Sequence, residues 1–283
     1  MTALALVASS VGLEGDRSVH LAPTKPAVSL SRDGWEEIRI RRLVSPSRHE
    51  LRRAKGYARG RDGLVSFAAV DSRGDVHGLA PDRPYVSASV VKAMLLAAEL
   101  RRLDGARAPV DESTRGLLTG MLIYSDNDAA DAIYARVGDE GLYDVARRAG
   151  MGNFTVAGYW GNAQITARDI AGFMSRLDRV LPGGKRRAGL SLLERIVPEQ
   201  SWGIPEAAGR KWTVRFKGGW RSTDIGELVH QAAALRHEDG TTIAIAVLTD
   251  AQPTQGYGIE TVRGIGERLV GPHPGSSRPS HSE

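Results

Sequence analysis

The stretch that decides the fold is SASVVKAMLL, which runs from Ser87 to Leu96. The apolar run after Lys92 predicts a helix that begins near Ser89, ends near Gly105 and has Ser87 as its cap. On such a helix Ser89 and Lys92 lie about one turn apart on the same face. A serine hydroxyl is a weak nucleophile, and a lysine amine activates it when burial lowers the lysine pKa. The stretch therefore predicts a nucleophile beside its base, although Ser-x-x-Lys alone also fits a solvated helix face.

Two further motifs follow along the chain. Ser125-Asp126-Asn127 precedes a helical pattern, and Lys217-Gly218-Gly219 lies in a segment with strand character. Each also has an ordinary interpretation, because Ser-Asp-Asn is a good N-cap sequence and Lys-Gly-Gly is common in loops. Their order after Ser89 matches the signature of class A β-lactamases and penicillin-binding proteins, with Gly218 in place of threonine. The chain resembles this superfamily over about residues 60–270.

The resemblance implies roles for the first two motifs. Ser89 is the nucleophile, and its backbone N–H at a helix N-terminus points at a developing oxyanion. Lys92 activates Ser89, and general-base help of this kind is worth ~10²–10⁴ in rate. Ser125 relays a proton to the leaving nitrogen, while Asn127 holds the acyl-amide carbonyl of the substrate and Lys92. The predicted catalytic residues are therefore Ser89, Lys92 and Ser125.

The third motif and its neighbours are expected to bind substrate. Lys217 supplies positive charge near a substrate carboxylate, and Gly219 leaves room for an extended substrate beside the strand. Trp220 supplies a second oxyanion N–H from its backbone. On the following strand, His230 and Glu227 are more typical of a satisfied structural pair than of catalytic groups.

One departure from the family bears on turnover. Class A β-lactamases carry a glutamate between the second and third motifs that activates the deacylating water, but residues 151–165 contain neither Asp nor Glu. Asn162 or Gln164 can orient a water there but cannot take its proton. We expect acylation by way of Lys92 and poor deacylation.

The motifs predict an enzyme. The leading interpretation is a β-lactamase-related serine hydrolase that forms an acyl-serine intermediate with a β-lactam, an amide or an ester. A D-alanyl-D-alanine peptidase-like enzyme of peptidoglycan and a non-turning-over module that senses β-lactams or binds cell wall stay open as alternatives. We expect a monomer that acts on a small-molecule or peptidoglycan-derived substrate and uses no cofactor.

Composition narrows the function classes. The 283 residues are 41% hydrophobic and 25% charged, as in ordinary soluble globular proteins. Cysteine is absent, which excludes disulfides and thiolate metal sites, and no two histidines fall at ligand spacing. Net charge is +5, and residues 39–61 are rich in arginine. A solvated helix face explains this run best, with weak contact to an anionic surface as the functional interpretation; without interleaved aromatics it does not predict nucleic-acid binding.

The pattern of elements predicts an α+β fold of the β-lactamase/transpeptidase type, an antiparallel sheet flanked by helices with an inserted all-helical sub-domain. Residues 35–270 form a single catalytic domain, with the sheet at about 60–80 and 210–270 and the helical sub-domain at about 85–205. The remaining helical patterns lie at about 110–123, 127–137, 139–149, 166–179 and 187–197.

Both ends of the chain read as irregular. Residues 1–34 are expected to be a disordered or processed leader, and residues 271–283 a disordered tail. The apolar stretch from Thr2 to Ser10 resembles the end of a secretory h-region but lacks a basic n-region. We expect an extracytoplasmic protein, secreted or associated with the cell envelope; a cytoplasmic location stays open.

Overall fold

The computed structural model describes residues 46–271, so the predicted leader and the tail beyond Gly271 lie outside the described residues. The strands are β1 (Leu64–Val70), β2 (Val76–Leu79), β3 (Pro84–Val86), β4 (Gln164–Thr166), β5 (Trp212–Thr223), β6 (Gly226–His237) and β7 (Thr242–Gln252). Five of them form an antiparallel sheet in the order β2-β1-β7-β6-β5, while β3 and β4 pair separately.

The helices fill the segment between the two strand-bearing parts and flank the sheet. They are α1 (Arg48–Arg59), α2 (Lys92–Gly105), α3 (Glu112–Ile123), α4 (Asn127–Ala149), α5 (Ala167–Ser175), α6 (Leu177–Val180), α7 (Gly183–Glu194), α8 (Ile204–Ala208) and α9 (Gln255–Val270). Across residues 46–271, none of these helices has the length and hydropathy of a membrane span. The predicted α+β fold is confirmed.

Helix starts follow local capping chemistry. Ser47 and the Glu50 side chain form a capping box at the start of α1, so the described part of the basic segment is a helix. Asp111 accepts the Thr114 N–H at 2.8 Å and caps α3. Thr254 Oγ1 accepts the Tyr257 N–H at 3.1 Å and caps α9. Each cap satisfies an N–H group that the first helical turn leaves free.

Four predicted helices differ in detail. The patterns at 127–137 and 139–149 join as α4 across Gly138, whose φ of 60° breaks the helical path. The pattern at 166–179 divides at Arg176 into α5 and α6. The helix predicted at 187–197 is α7, which begins at Gly183, directly after Pro182 in extended backbone, and ends at Glu194.

The core lies on both faces of the sheet. Alternate residues of β1 point to opposite faces, so Ala68 and Val70 pack with the helices of residues 92–193 while Phe67 and Ala69 pack with α1 and α9. Helix α2 is buried over most of its length and packs against α3, α4 and α7. Its buried Glu99 is neutralised by Arg102 at 2.6 Å and by Arg136 at 3.3 Å. This packing fixes the N-terminal end of α2, where Ser89 and Lys92 lie.

Candidate active site

Ser89 lies in a 3-10 turn, Ala88–Val91, that leads directly into α2. Ser89 and Lys92 are three residues apart across this turn, and side chains at that spacing eclipse each other in a 3-10 helix. Ala88, immediately before Ser89, has a φ of 44°, a strained conformation for a residue with a Cβ. The Ser89 side chain is half-buried.

The prediction that Ser87 caps this helix is wrong. Ser87 has helical φ/ψ of −69° and −26°, whereas a capping serine has extended backbone. Its Oγ donates to backbone carbonyls instead, to Ala88 O at 3.2 Å and to Trp160 O at 3.4 Å. Ser87 therefore ties the turn that carries Ser89 to the segment that carries Trp160.

Lys92 is fully buried and joins the first motif to the second. Its Nζ donates to Ser125 O at 2.6 Å, to Asn127 Oδ1 at 2.7 Å and, more weakly, to Ser125 Oγ at 3.4 Å. Burial lowers the pKa of Lys92 to about 8, against the opposing pull of the Asp126 and Asp131 carboxylates. At neutral pH about one tenth of such lysines are uncharged and able to accept a proton.

The second motif is both a cap and a site. Asp126 Oδ1 accepts the N–H groups of Asp128 at 2.8 Å and Ala129 at 3.3 Å, so it caps α4 as its sequence suggests. Ser125, just before it, has a φ of 60°, and Asn127 is the first helical residue. The cap therefore holds Ser125 and Asn127 on either side of Asp126, where both reach Lys92.

The third motif lies on β5, and its lysine is placed differently from Lys92. Lys217 is fully buried, and its Nζ donates to the carbonyl of the adjacent Gly218 at 2.8 Å. No other hydrogen bond of this ammonium is found within residues 46–271, so it does not reach Ser125 there. Burial, and then the positive charge of Lys92, lower the pKa of Lys217 to about 7.

Gly219 brings the β5 backbone against the nucleophile turn. A Cβ at this position would lie 2.8 Å from Ser89 N and 2.9 Å from Val90 N, so only glycine fits. At Gly218 a Cβ would make ordinary contact with Trp202 at 3.5 Å. Trp220 follows Gly219 on the strand, and its ring packs edge-on against Trp202 at 5.9 Å. The structure thus places Gly219 beside Ser89, with Gly218 and Trp220 as its neighbours on β5; the oxyanion role of Trp220 stays a prediction.

Trp160 is the residue that sequence reasoning missed. Its buried ring lies over Lys92, with 4.8 Å from the ring centroid to Nζ, a cation–π distance. Its Nε1 donates to Asp131 Oδ1 at 2.6 Å, which fixes the ring plane. Trp160 belongs to segment 151–165, which contains no Asp or Glu. It is the one tryptophan of that segment, and this was the sequence feature that could have indicated its position near Lys92.

The two polar candidates of this segment are already engaged. Asn162 Oδ1 accepts from Arg221 Nη1 at 3.2 Å, which joins the segment to the end of β5. Gln164 Nε2 donates to Asn162 O at 3.4 Å, and Gln164 pairs with Val86 between β4 and β3. The segment therefore spans from β3 to β5 beside Lys92.

His230 and Glu227 are structural, as expected, but they do not form a pair. His230 Nδ1 accepts from Thr249 N at 3.1 Å and Nε2 donates to Val86 O at 3.0 Å, so the neutral ring is fully satisfied. Burial lowers the pKa of His230 to about 4. Glu227 accepts from Ser222 Oγ at 2.8 Å. Over the described part of the chain, no group of three or more acidic or histidine side chains is placed to hold a metal ion.

A family model described as "Beta-lactamase enzyme family" matches residues 102–271. The match includes Ser125, Asn127 and Lys217 and begins after Ser89 and Lys92. No curated protein sequence matches the chain.

Solved structures share the fold. A β-lactamase from Sphaerobacter thermophilus is 19% identical with a TM-score of 0.67, covering 77% of this chain and 95% of that one. A class A β-lactamase from Mycobacterium abscessus is 21% identical with a TM-score of 0.67, covering 78% and 98%. PBP-A is 17% identical with a TM-score of 0.69, covering 81% and 97%. The resemblance inferred from the motifs is confirmed.

Proposed function

The chain belongs to the beta-lactamase enzyme family, and from that premise we propose that it acylates Ser89 with a β-lactam, an amide or an ester and releases the acyl group slowly. The observation that carries the proposal is the convergence on buried Lys92 of Ser125 and Asn127. A lysine with a pKa of about 8, three residues from a half-buried serine, is suited to take the serine proton.

The acylation step follows from these positions. Neutral Lys92 takes the hydroxyl proton as Ser89 Oγ bonds to the acyl carbon, and the carbonyl oxygen becomes an oxyanion. The N–H groups of Ser89 and Trp220 stabilise that charge beside the glycine at 219. When the intermediate collapses, the C–N or C–O bond breaks and the proton passes from Lys92 by way of Ser125 to the leaving atom.

Slow release rests on the composition and packing of residues 151–165. This segment carries no carboxylate, and Trp160 covers the face of Lys92 with an apolar ring. Asn162 is engaged with Arg221 and offers no base. A water that attacks the acyl group therefore lacks a strong proton acceptor, other than Lys92 itself.

The absence of a carboxylate from residues 151–165 also favours a second candidate function. This candidate is a penicillin-binding module that forms the acyl-enzyme and does not turn over. The structural likeness to PBP-A is compatible with this candidate. The two functions differ in the lifetime of the adduct, since a hydrolase recovers free Ser89 and a sensor keeps the acyl group.

Intact-protein mass after incubation with penicillins and cephalosporins tests the proposal, while drug loss is followed in parallel. We expect one adduct per chain on wild-type protein and on Ser191→Ala, a control in α7, and none on Ser89→Ala. An adduct on Ser89→Ala would refute the nucleophile. Rapid drug loss without an adduct would refute slow release, and hydrolysis of D-alanyl-D-alanine peptides would favour the peptidase alternative.

A further inference from the structure

A second concave region lies along the same sheet, away from Ser89. It consists of a cavity of about 590 Å³ and a neighbouring one of about 510 Å³, and Arg215 lines both. Arg215 precedes Gly219 by four residues on β5, which is roughly 13 Å at the rise of a strand. The region is therefore separate from the cleft that holds Ser89 and Lys92.

Arginine dominates the lining of this region. The larger cavity is lined by Arg73, Arg176, Arg179, Arg215 and Arg236, and the smaller one adds Arg186 and Arg187. Three carboxylates accompany these seven arginines, namely Asp71, Asp178 and Glu194. Like charges gathered in a concave surface raise its positive potential and attract anions.

Two of the three carboxylates already have hydrogen-bond partners, and only one of these partners is an arginine side chain of the region. Asp71 accepts the backbone N–H groups of Arg73 at 2.9 Å and Asp75 at 3.0 Å, and it lies 3.3 Å from the His77 ring. Glu194 accepts from Arg215 Nε at 2.7 Å. Most of the guanidinium charge therefore lacks a neutralising carboxylate among the described residues.

The arginines divide into anchored and open ones. Arg176 Nη1 donates to Ala149 O at 3.1 Å and Gly172 O at 3.2 Å, which fixes that side chain as Glu194 fixes Arg215. Arg186 Nε is buried with no hydrogen-bond partner among residues 46–271. A buried donor without an acceptor is costly, so an acceptor from outside the described protein, such as a water or a ligand oxygen, stabilises this atom.

The remaining arginines at the rim are exposed. Arg73, Arg179 and Arg236 form no ion pair within the described part of the chain, and each presents its guanidinium to solvent. Guanidinium groups bind phosphate oxygens through two parallel N–H donors, which a lysine cannot do. Anchored and exposed arginines thus line the same concave region.

We propose that this arginine-lined region is a binding site for an anion that carries several linked phosphate groups. The two cavities meet at Arg215, so a linear oligophosphate reaches arginines of both, whereas a single orthophosphate reaches only one cavity. The site is independent of the acylation of Ser89.

Calorimetric titration of the full chain with tripolyphosphate, at about 0.15 M salt where distant charges are screened, tests the site. We expect binding to wild-type protein that is about tenfold tighter than that of orthophosphate, because two cavities share the ligand. The double variant Arg179→Gln/Arg236→Gln should bind about tenfold more weakly.

The matched control is Arg52→Gln/Arg53→Gln, which removes the same charge from the exposed face of α1. We expect this control to bind tripolyphosphate within about twofold of wild type, because general attraction is weak at this salt. Equal weakening of both double variants would show attraction to net charge alone and would overturn the proposal. Absence of binding, or equal affinity for orthophosphate and tripolyphosphate, would overturn it as well.

Discussion

The two buried lysines of the site lie on different walls and have different hydrogen-bond partners. On the helical wall, formed by Ser89, Lys92, Ser125 and Asn127, the buried ammonium donates to three acceptors from the second motif. On the strand wall, formed by residues 217–220, the buried Lys217 donates to the carbonyl of its own neighbour. The wall whose motifs match the family fully is the one that is joined into a network.

This difference concerns two separate tasks, activation of the nucleophile and recognition of the substrate. The helical wall carries the groups proposed to activate Ser89, and their hydrogen bonds restrict them to one arrangement. The strand wall has Gly218 where the family has threonine, and the buried Lys217 ammonium donates to the Gly218 carbonyl. We infer that the acylating machinery is retained while recognition of a substrate carboxylate differs from that of the family.

The largest expected effect is on the helical wall. Replacement of Lys92 by Met removes the base and leaves Ser125 O and Asn127 Oδ1 without their donor. We expect acylation to slow by ~10²–10⁴, as for loss of a general base. Rates of adduct formation measure the effect, and Lys211→Met is the control because Lys211 is exposed and pairs with Glu238. Acylation at the wild-type rate in Lys92→Met would contradict the assignment.

The next largest effect on the acylation rate is expected to differ between two adjacent glycines of the strand wall. In Gly219→Ala the new Cβ meets Ser89 N at 2.8 Å, whereas in Gly218→Ala it meets Trp202 at an ordinary 3.5 Å. Displacement of the nucleophile by a fraction of an ångström is expected to slow acylation by about 10²-fold in Gly219→Ala and by far less in Gly218→Ala. Equal rates in the two variants would mean that β5 does not position Ser89.

The pH dependence of acylation tests whether Lys92 acts as the base. Since Lys92 must be neutral to act and its pKa is about 8, the rate should rise about tenfold per unit from pH 6 to 7 and level off above pH 8. Intact-protein mass measurements on samples quenched at successive times, from pH 6 to 9, give this profile. A flat profile over that range would show that Lys92 is not the base.

The smallest effect on acylation is expected at Lys217, which contacts no predicted catalytic group. In Lys217→Met acylation should fall less than about tenfold, since only an electrostatic contribution is lost. Stability should respond instead. Because the folded pKa of about 7 lies below the unfolded value, the unfolded chain binds more protons between pH 7 and 10 and wild-type stability rises with pH. Denaturant unfolding at pH 7 and 9 should show a weaker rise in the variant, and an unchanged rise would refute the burial of this charge.

Sequence reasoning succeeded where the chemistry is local. Ser89 and Lys92 share one turn, and Ser125 and Asn127 flank a cap, so a few neighbouring residues suffice to predict their placement. The strands of the five-stranded sheet likewise lie within the two regions predicted for it, about 60–80 and 210–270. The α+β fold followed from their positions at both ends of the described chain.

The features that could not be predicted from the sequence depend on contacts between distant segments. Trp160 reaches Lys92 only after the 151–165 segment folds against the turn at Ser87. The burial of Lys217 depends on how β5 packs beneath the helical wall. The three-residue strands β3 and β4 are too short to show a period, and only their mutual pairing defines them.

We propose that the intact helical wall promotes acylation of Ser89 and that the acid-free segment slows removal of the adduct. A pre-steady-state assay with a chromogenic cephalosporin measures both steps. We expect a burst of one ring opening per protein molecule, followed by a much slower steady phase, and we expect the burst to be lost in Ser89→Ala. Linear turnover without a burst, at a rate that depends on Ser89, would contradict it.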